Sequence, residues 1–148
     1  SWDLSREPAA GKLLDAVRRF EPDVIYHLAA MSIPLDCGTA EPTTEARALN
    51  VDGVTRVLEL AEKLPRRPRV VFTSSSHVYA VDSRQPVVAE TAPLAPRNAY
   101  GRTKLEAESL CLAAAAGGAD VVIVRSFSQA GPRQDPRLML AEWARQLL

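Results

Sequence analysis

Tyr100 and Lys104 stand four residues apart in the stretch NAYGRTKLEAE, so on a helix they share one face. A free phenol holds its proton up to about pH 10, too high for a base at neutral pH. An ammonium within about 4–6 Å favours the phenolate and lowers that value. Upstream, Thr73, Ser74, Ser75 and Ser76 form a run of hydroxyls. A serine hydroxyl beside the tyrosine can hold an oxygen of a bound molecule and stabilise charge on it. The chemistry such a trio suits is movement of a proton on or off a carbon-borne oxygen, the companion of hydride transfer. In that reading Tyr100 is the general acid/base, Lys104 its electrostatic activator and Ser75 the substrate-positioning donor. A tyrosine and a lysine at this spacing occur on many solvated helices, so the reading depends on what brings the serine run to the same place.

Three short apolar runs can do so: DVIYHLAA at 23–30, RVVFT at 69–73 and DVVIV at 120–124. Runs of this kind suit parallel strands buried on both faces. Helical patterns lie between them. The first starts at Glu7-Pro8, carries Leu13, Leu14, Val17 and Phe20 at helical spacing, and is ended by Pro22. A second is capped by Thr43 or Thr44 and runs to about Leu64. The third opens at Tyr100 and stops at Gly117-Gly118. A fourth pattern, LMLAEWARQLL, occupies 138–148. This alternation predicts an α/β fold, a parallel sheet with right-handed crossovers and helices on both faces. Ligands bind such sheets beyond the carboxyl ends of the strands, where the serine run and the start of the third helix both fall.

Composition removes several function classes. Lys plus Arg equal Asp plus Glu at 18 each, so no net charge draws the chain to nucleic acid or to an anionic membrane. No apolar run approaches the ~20 residues that cross a bilayer, and SWDLSREP lacks the pattern of a signal peptide. The two cysteines, Cys37 and Cys111, have no metal-ligand spacing, so neither a metal site nor a disulfide framework is expected and a cytoplasmic location is. Both ends read as cut from something longer: no Met precedes Ser1, and the last residues stop inside a helical pattern.

These motifs together resemble the extended short-chain dehydrogenase/reductase superfamily, in its sugar-nucleotide epimerase/dehydratase/reductase branch. Asp3-Leu4 resembles the pair after the third strand that contacts adenine, and HLAA at 27–30 the fourth-strand ending that lines the cofactor. Asn50 resembles the Asn of the following helix. VVFTSSSHVYA is similar to the fifth strand and its catalytic serine, four residues before Tyr79 and hence Ser75, and NAYGRTKLEAE to the catalytic helix. RSFSQAGPRQ, from Arg125, resembles the exit of the sixth strand.

The resemblance implies a partial Rossmann-like, doubly wound domain, incomplete, supplying strands four to six of the usual order. It implies NAD or NADP as cofactor, contacted by Asp3, Leu4, Leu28, Ala29, Ala30, Thr73, Tyr100, Lys104 and Phe127, and a nucleotide-sugar substrate met by Ser76, His77, Ser128 and Arg133. Arg137 is a further candidate for a diphosphate. A homodimer through the second and third helices is implied as well. Departures narrow the reaction. The Gly-rich turn that seats a pyrophosphate is absent, and Ser128 stands where many members carry Asn. Ser76 and His77 occupy positions where 4,6-dehydratases place acidic residues, which points to a C4 epimerase or, preferred, a 4-keto-6-deoxy sugar reductase. A noncatalytic binding or structural unit is the competing expectation. His27 and Cys111 are read as core residues. The choice between NAD and NADP is open.

Overall fold

The computed structural model describes residues 2–6, 12–80 and 87–147. The expected helix start at Glu7-Pro8 lies outside them. In chain order the elements are α1 (Lys12–Phe20), β1 (Val24–His27), α2 (Thr44–Asn50), α3 (Asp52–Glu62), β2 (Arg69–Ser75), α4 (Ala99–Ala116), β3 (Val121–Ser126) and α5 (Met139–Leu147). The strands form one parallel sheet in the order β1-β2-β3, with Val24 opposite Arg69 and Val70 opposite Val121. This is the α/β fold expected, and its strand bounds shift in an informative way. β1 is only 4 residues, and the Leu28–Ala30 stretch expected within it follows as irregular chain. β2 instead runs on through Ser74 and Ser75, and β3 through Ser126, so the hydroxyls are part of the sheet's carboxyl edge.

Alternation along the strands places Val70, Phe72, Val121 and Ile123 on one face. There they pack with Val54 and Leu58 of α3 and with Ala107 and Cys111 of α4. Expected burial on both faces is corrected here among the described residues: Tyr26 is 67% exposed and Val124 43%, on the opposite face. Their apolar character alone could not tell a covered face from an uncovered one.

The helix expected from Thr43 to about Leu64 is two helices. Thr43 caps α2 by accepting the Ala46 N–H at 3.1 Å, and Val51, a single turn residue, divides α2 from α3. The Asp52-Gly53 pair that follows has weak helix propensity, so α3 starts afresh there. Asn50, at the end of α2, explains where the break falls. Its side chain is 1% exposed and is spent on the backbone of Met31, accepting its N–H at 2.8 Å and donating to its carbonyl at 3.1 Å. A further bond, Asn50 Nδ2 to Thr103 Oγ1 at 3.1 Å, joins α2 to α4.

Candidate active site

α4 begins one residue earlier than expected, at Ala99, because Asn98 caps it. The Asn98 side-chain oxygen accepts the Gly101 N–H at 2.8 Å. Its amide nitrogen lies 2.9 Å from His77 Nδ1. With the amide oxygen committed to the cap, the nitrogen must donate, so Nδ1 accepts and a neutral His77 carries its proton on Nε2. The cap also seats α4 against the turn Ser76–Val78. A Cβ on Gly101 would fall 2.4 Å from the His77 carbonyl oxygen, so only glycine permits this approach.

That close contact brings the expected trio together. Ser75 is 6% exposed; its Oγ accepts the His77 N–H at 3.2 Å, and it lines one cavity with Tyr100. Lys104 is 4% exposed, with its ammonium 5.8 Å from the Tyr100 ring centre and 5.0 Å from that of Phe72. Its Nζ donates to the Thr73 carbonyl at 2.8 Å.

The electrostatics differ from expectation in one respect. Burial pushes the Tyr100 phenol above its usual value, and the neighbouring Ser75 hydroxyl offsets this only in part. Burial likewise brings Lys104 down to about 8. The ammonium therefore does not make the phenol acidic here: desolvation of the phenolate outweighs a cation already engaged by a backbone carbonyl. At neutral pH the site holds a protonated phenol beside an ammonium.

A cavity of about 490 Å3 opens over these groups at the carboxyl edge of the sheet. Ser75, Ser76, His77 and Tyr100 line it, with Phe127 and Ser128 from the segment after β3. Phe127 stacks on Tyr79 at 6.5 Å. Of the remaining candidates, Thr73 meets Lys104 through its carbonyl, while Leu28 and Ala29 are exposed beyond β1 and Ala30 half-buried. Asp3 is turned onto its own segment, accepting from the Ser5 N–H and hydroxyl at 3.0 and 2.7 Å. Leu4 packs beside Val57 and Ala61. Arg133, exposed and at φ 65°, is not among the lining residues, whereas Arg137 is, held by Asp36 at 3.1 Å and Asp135 at 3.0 Å. His27 is buried and stacks on Phe72 at 5.9 Å, a core position. Cys111 is buried in the α3–α4 core. A second cavity, about 280 Å3 at the amino ends of β2 and β3, gathers none of the candidate residues.

Among the described residues no His, Cys, Asp and Glu side chains cluster as a metal site, and no helix is long and apolar enough to cross a membrane. Residues 4–148 match the NAD dependent epimerase/dehydratase family. The chain belongs to that family. Among its curated members, the chain is 30% identical to GDP-6-deoxy-D-mannose reductase of Pseudomonas aeruginosa over 99% of its own length and 47% of the reductase. It is 37% identical to an uncharacterized UDP-glucose epimerase of Bacillus subtilis over 77% of its length and 35% of that protein. Two solved family structures superpose on 99% of the chain at 26% identity. One is the Pseudomonas aeruginosa protein RMD complexed with NADPH (TM-score 0.78, 49% of that chain). The other is UDP-glucuronic acid 4-epimerase of Bacillus cereus with UDP-glucuronic acid and NAD (TM-score 0.80, 44% of that chain). The chain thus spans about half, or less, of each of these family members.

Proposed function

We propose that this chain carries the reaction centre of an NAD(P)-dependent enzyme acting at C4 of a nucleotide-linked sugar, reducing a 4-keto-6-deoxy sugar. The three strands would be the fourth to sixth of a larger Rossmann-like domain. The observation that carries the reading is that Ser75 and Tyr100 line one cavity, with the buried Lys104 ammonium 5.8 Å from the Tyr100 ring centre. The residues present fit a nicotinamide cofactor: a buried ammonium sits at the sheet's carboxyl edge, and the chain beyond β1 and β3 is exposed there. Lys104, Thr73, Leu28, Ala29, Ala30 and Phe127 would hold it, with Asp3 and Leu4 toward its adenine end. Bound there, the nicotinamide supplies or accepts the hydride.

The chain's own residues manage the proton. Burial keeps Tyr100 protonated at neutral pH, which is the acid form that reduction of a ketone consumes. Tyr100 gives that proton to O4 as the C4–O4 double bond becomes single. Ser75 donates a hydrogen bond to the same oxygen, and Lys104 steadies the phenolate left behind. His77 presents Nε2–H toward the sugar, beside Ser76 and Ser128. Arg137, which lines the cavity where Arg133 does not, would meet the diphosphate.

Epimerisation uses the same trio in both directions, and the similarity to UDP-sugar epimerases favours it as the second reading. The full-length protein, given GDP-4-keto-6-deoxy-D-mannose and NADPH, is expected to oxidise NADPH stoichiometrically. UDP-glucose converted to its C4 epimer with no net change in cofactor, and no NADPH oxidation with the keto sugar, would replace reduction by epimerisation.

A further inference from the structure

Two buried side chains, Ser74 and Glu108, and the half-buried Arg125 at the edge of this site have no part in the proton transfer. Glu108 lies on α4 one turn beyond Lys104 and is 1% exposed. A carboxylate at that depth is stable only when its oxygens are paired. Arg125, near the end of β3, clasps it from two nitrogens: Nε donates at 3.0 and 3.2 Å and Nη2 at 2.8 Å. The Ser74 hydroxyl donates to the same carboxylate at 2.5 Å. Ser74 and Arg125 are register partners across β2 and β3, so their side chains leave the same face and meet at Glu108. Arg125 continues outward, donating to the Glu90 carbonyl at 2.8 Å and lying 5.0 Å over the Tyr79 ring.

One carboxylate on the catalytic helix therefore fixes the residue immediately before Ser75. Tyr100 and Glu108 sit two turns apart on α4, while Ser75 and Ser74 are adjacent on β2. Two links between the same pair of elements, Lys104 to the Thr73 carbonyl and Ser74 to Glu108, flank Ser75 and leave little freedom for the strand end to slide or roll against the helix. Were Ser74 released, the strand end would lose its tie to Glu108, and the Ser75 hydroxyl would be held only by the His77 N–H of its own turn.

We propose that Ser74, Glu108 and Arg125 are positioning residues that set the Ser75 hydroxyl against the Tyr100 phenol. This rests on reading Ser75 and Tyr100 as the reaction centre. Positioning of this kind is worth rate without affinity, because a small misplacement of a donor weakens only the transition-state contact. An ion pair serving stability alone would instead change the melting temperature and leave turnover intact.

The test is a double-mutant cycle in the full-length protein, with Ser74→Ala, Ser75→Ala and both together. Each is assayed on GDP-4-keto-6-deoxy-D-mannose with NADPH and on UDP-glucose with NAD. Ser74→Ala deletes one hydroxyl and leaves the Glu108–Arg125 pair in place, so it is the variant that should fold. It is expected to lower kcat about 10-fold with KM and cofactor affinity within about twofold, and to lower it no further once Ser75 is alanine. Unchanged kcat in Ser74→Ala, or full additivity in the double variant, overturns the positioning role while the reaction centre stands. A Ser75→Ala variant with wild-type turnover overturns both. A measurement independent of turnover is a pair of crystal structures with NAD, of the unmodified protein and of Ser74→Ala: the Ser75 hydroxyl is expected to shift away from the Tyr100 phenol in the variant, and an unchanged separation overturns the proposal.

Discussion

At the residue scale, burial disfavours the charged form of both the Tyr100 phenol and the Lys104 amine, and that shared effect sets the working protonation state. Tyr100 stays neutral because phenolate would be poorly solvated, and Lys104 is brought down to about 8 for the same reason. His27, behind them in the core, shows the same physics most plainly: burial first, and then the Lys104 charge, lower it to about 4 from its usual 6.5. The unfolded chain therefore binds a proton between about pH 6.5 and about pH 4 that the folded chain refuses, so stability falls with pH across that window and levels below it. The loss amounts to roughly 3 kcal/mol at 1.36 kcal/mol per unit. Urea midpoints measured at pH 7, 5.5 and 4 should record it, and His27→Gln should flatten the slope. An equally steep slope in that variant would assign the loss to other groups. That Tyr100 and Lys104 share a helix face was readable from types and spacing, since a four-residue separation needs only a helix. The electrostatic sign of the pair was not, because burial belongs to the assembled site. Glu108 and Arg125 were hidden for a similar reason: 17 residues separate them, and only the packing of α4 on β3 brings them together.

Elements position the site through close packing at a few points, and the tightest is the entry to α4. Asn98 fits the ordinary rule for helix caps, and could have been found by it, yet its second role in orienting His77 depends on a turn from another element. Gly101 looks like an unremarkable residue inside a helix, where glycine costs about 1 kcal/mol relative to alanine. Its reason is the His77 carbonyl. Gly101→Ala would gain helix propensity and still lose, because α4 must back away from the Ser76–Val78 turn. We expect destabilisation of about 2 kcal/mol and a loss of turnover beyond what the unfolded fraction explains, as Tyr100 moves off Ser75. Chemical denaturation and steady-state kinetics on one preparation would check both, and a stable, fully active Gly101→Ala would refute the packing argument. The division at Val51 was not legible either, since the apolar spacing continues through it and the cause is the Asn50 contact with Met31.

For the whole molecule, the dominant feature is the sheet face that stands open among the described residues. Tyr26, Val122 and Val124 make an apolar strip on strands otherwise built to be covered, and such surface drives association. The 148-residue chain alone is expected to sediment with concentration-dependent mass, and Tyr26→Lys with Val124→Lys to reduce that association. Unaltered association would place the contact elsewhere, on α3 and α4 for instance, where the family resemblance puts a homodimer. Topology and the layering of one face followed from the pattern of apolar runs, while the state of the other face did not, because strands of this composition read alike covered or bare. The central claim concerns the complete enzyme in turnover, and replacing a single oxygen atom tests it most directly. Tyr100→Phe in the full-length protein should lower the single-turnover rate of hydride transfer, followed by the absorbance of reduced nicotinamide, at least ~10²-fold. Affinity for NADPH should stay within a few-fold. Hydride transfer at the wild-type rate in that variant would contradict the account and remove Tyr100 from the reaction.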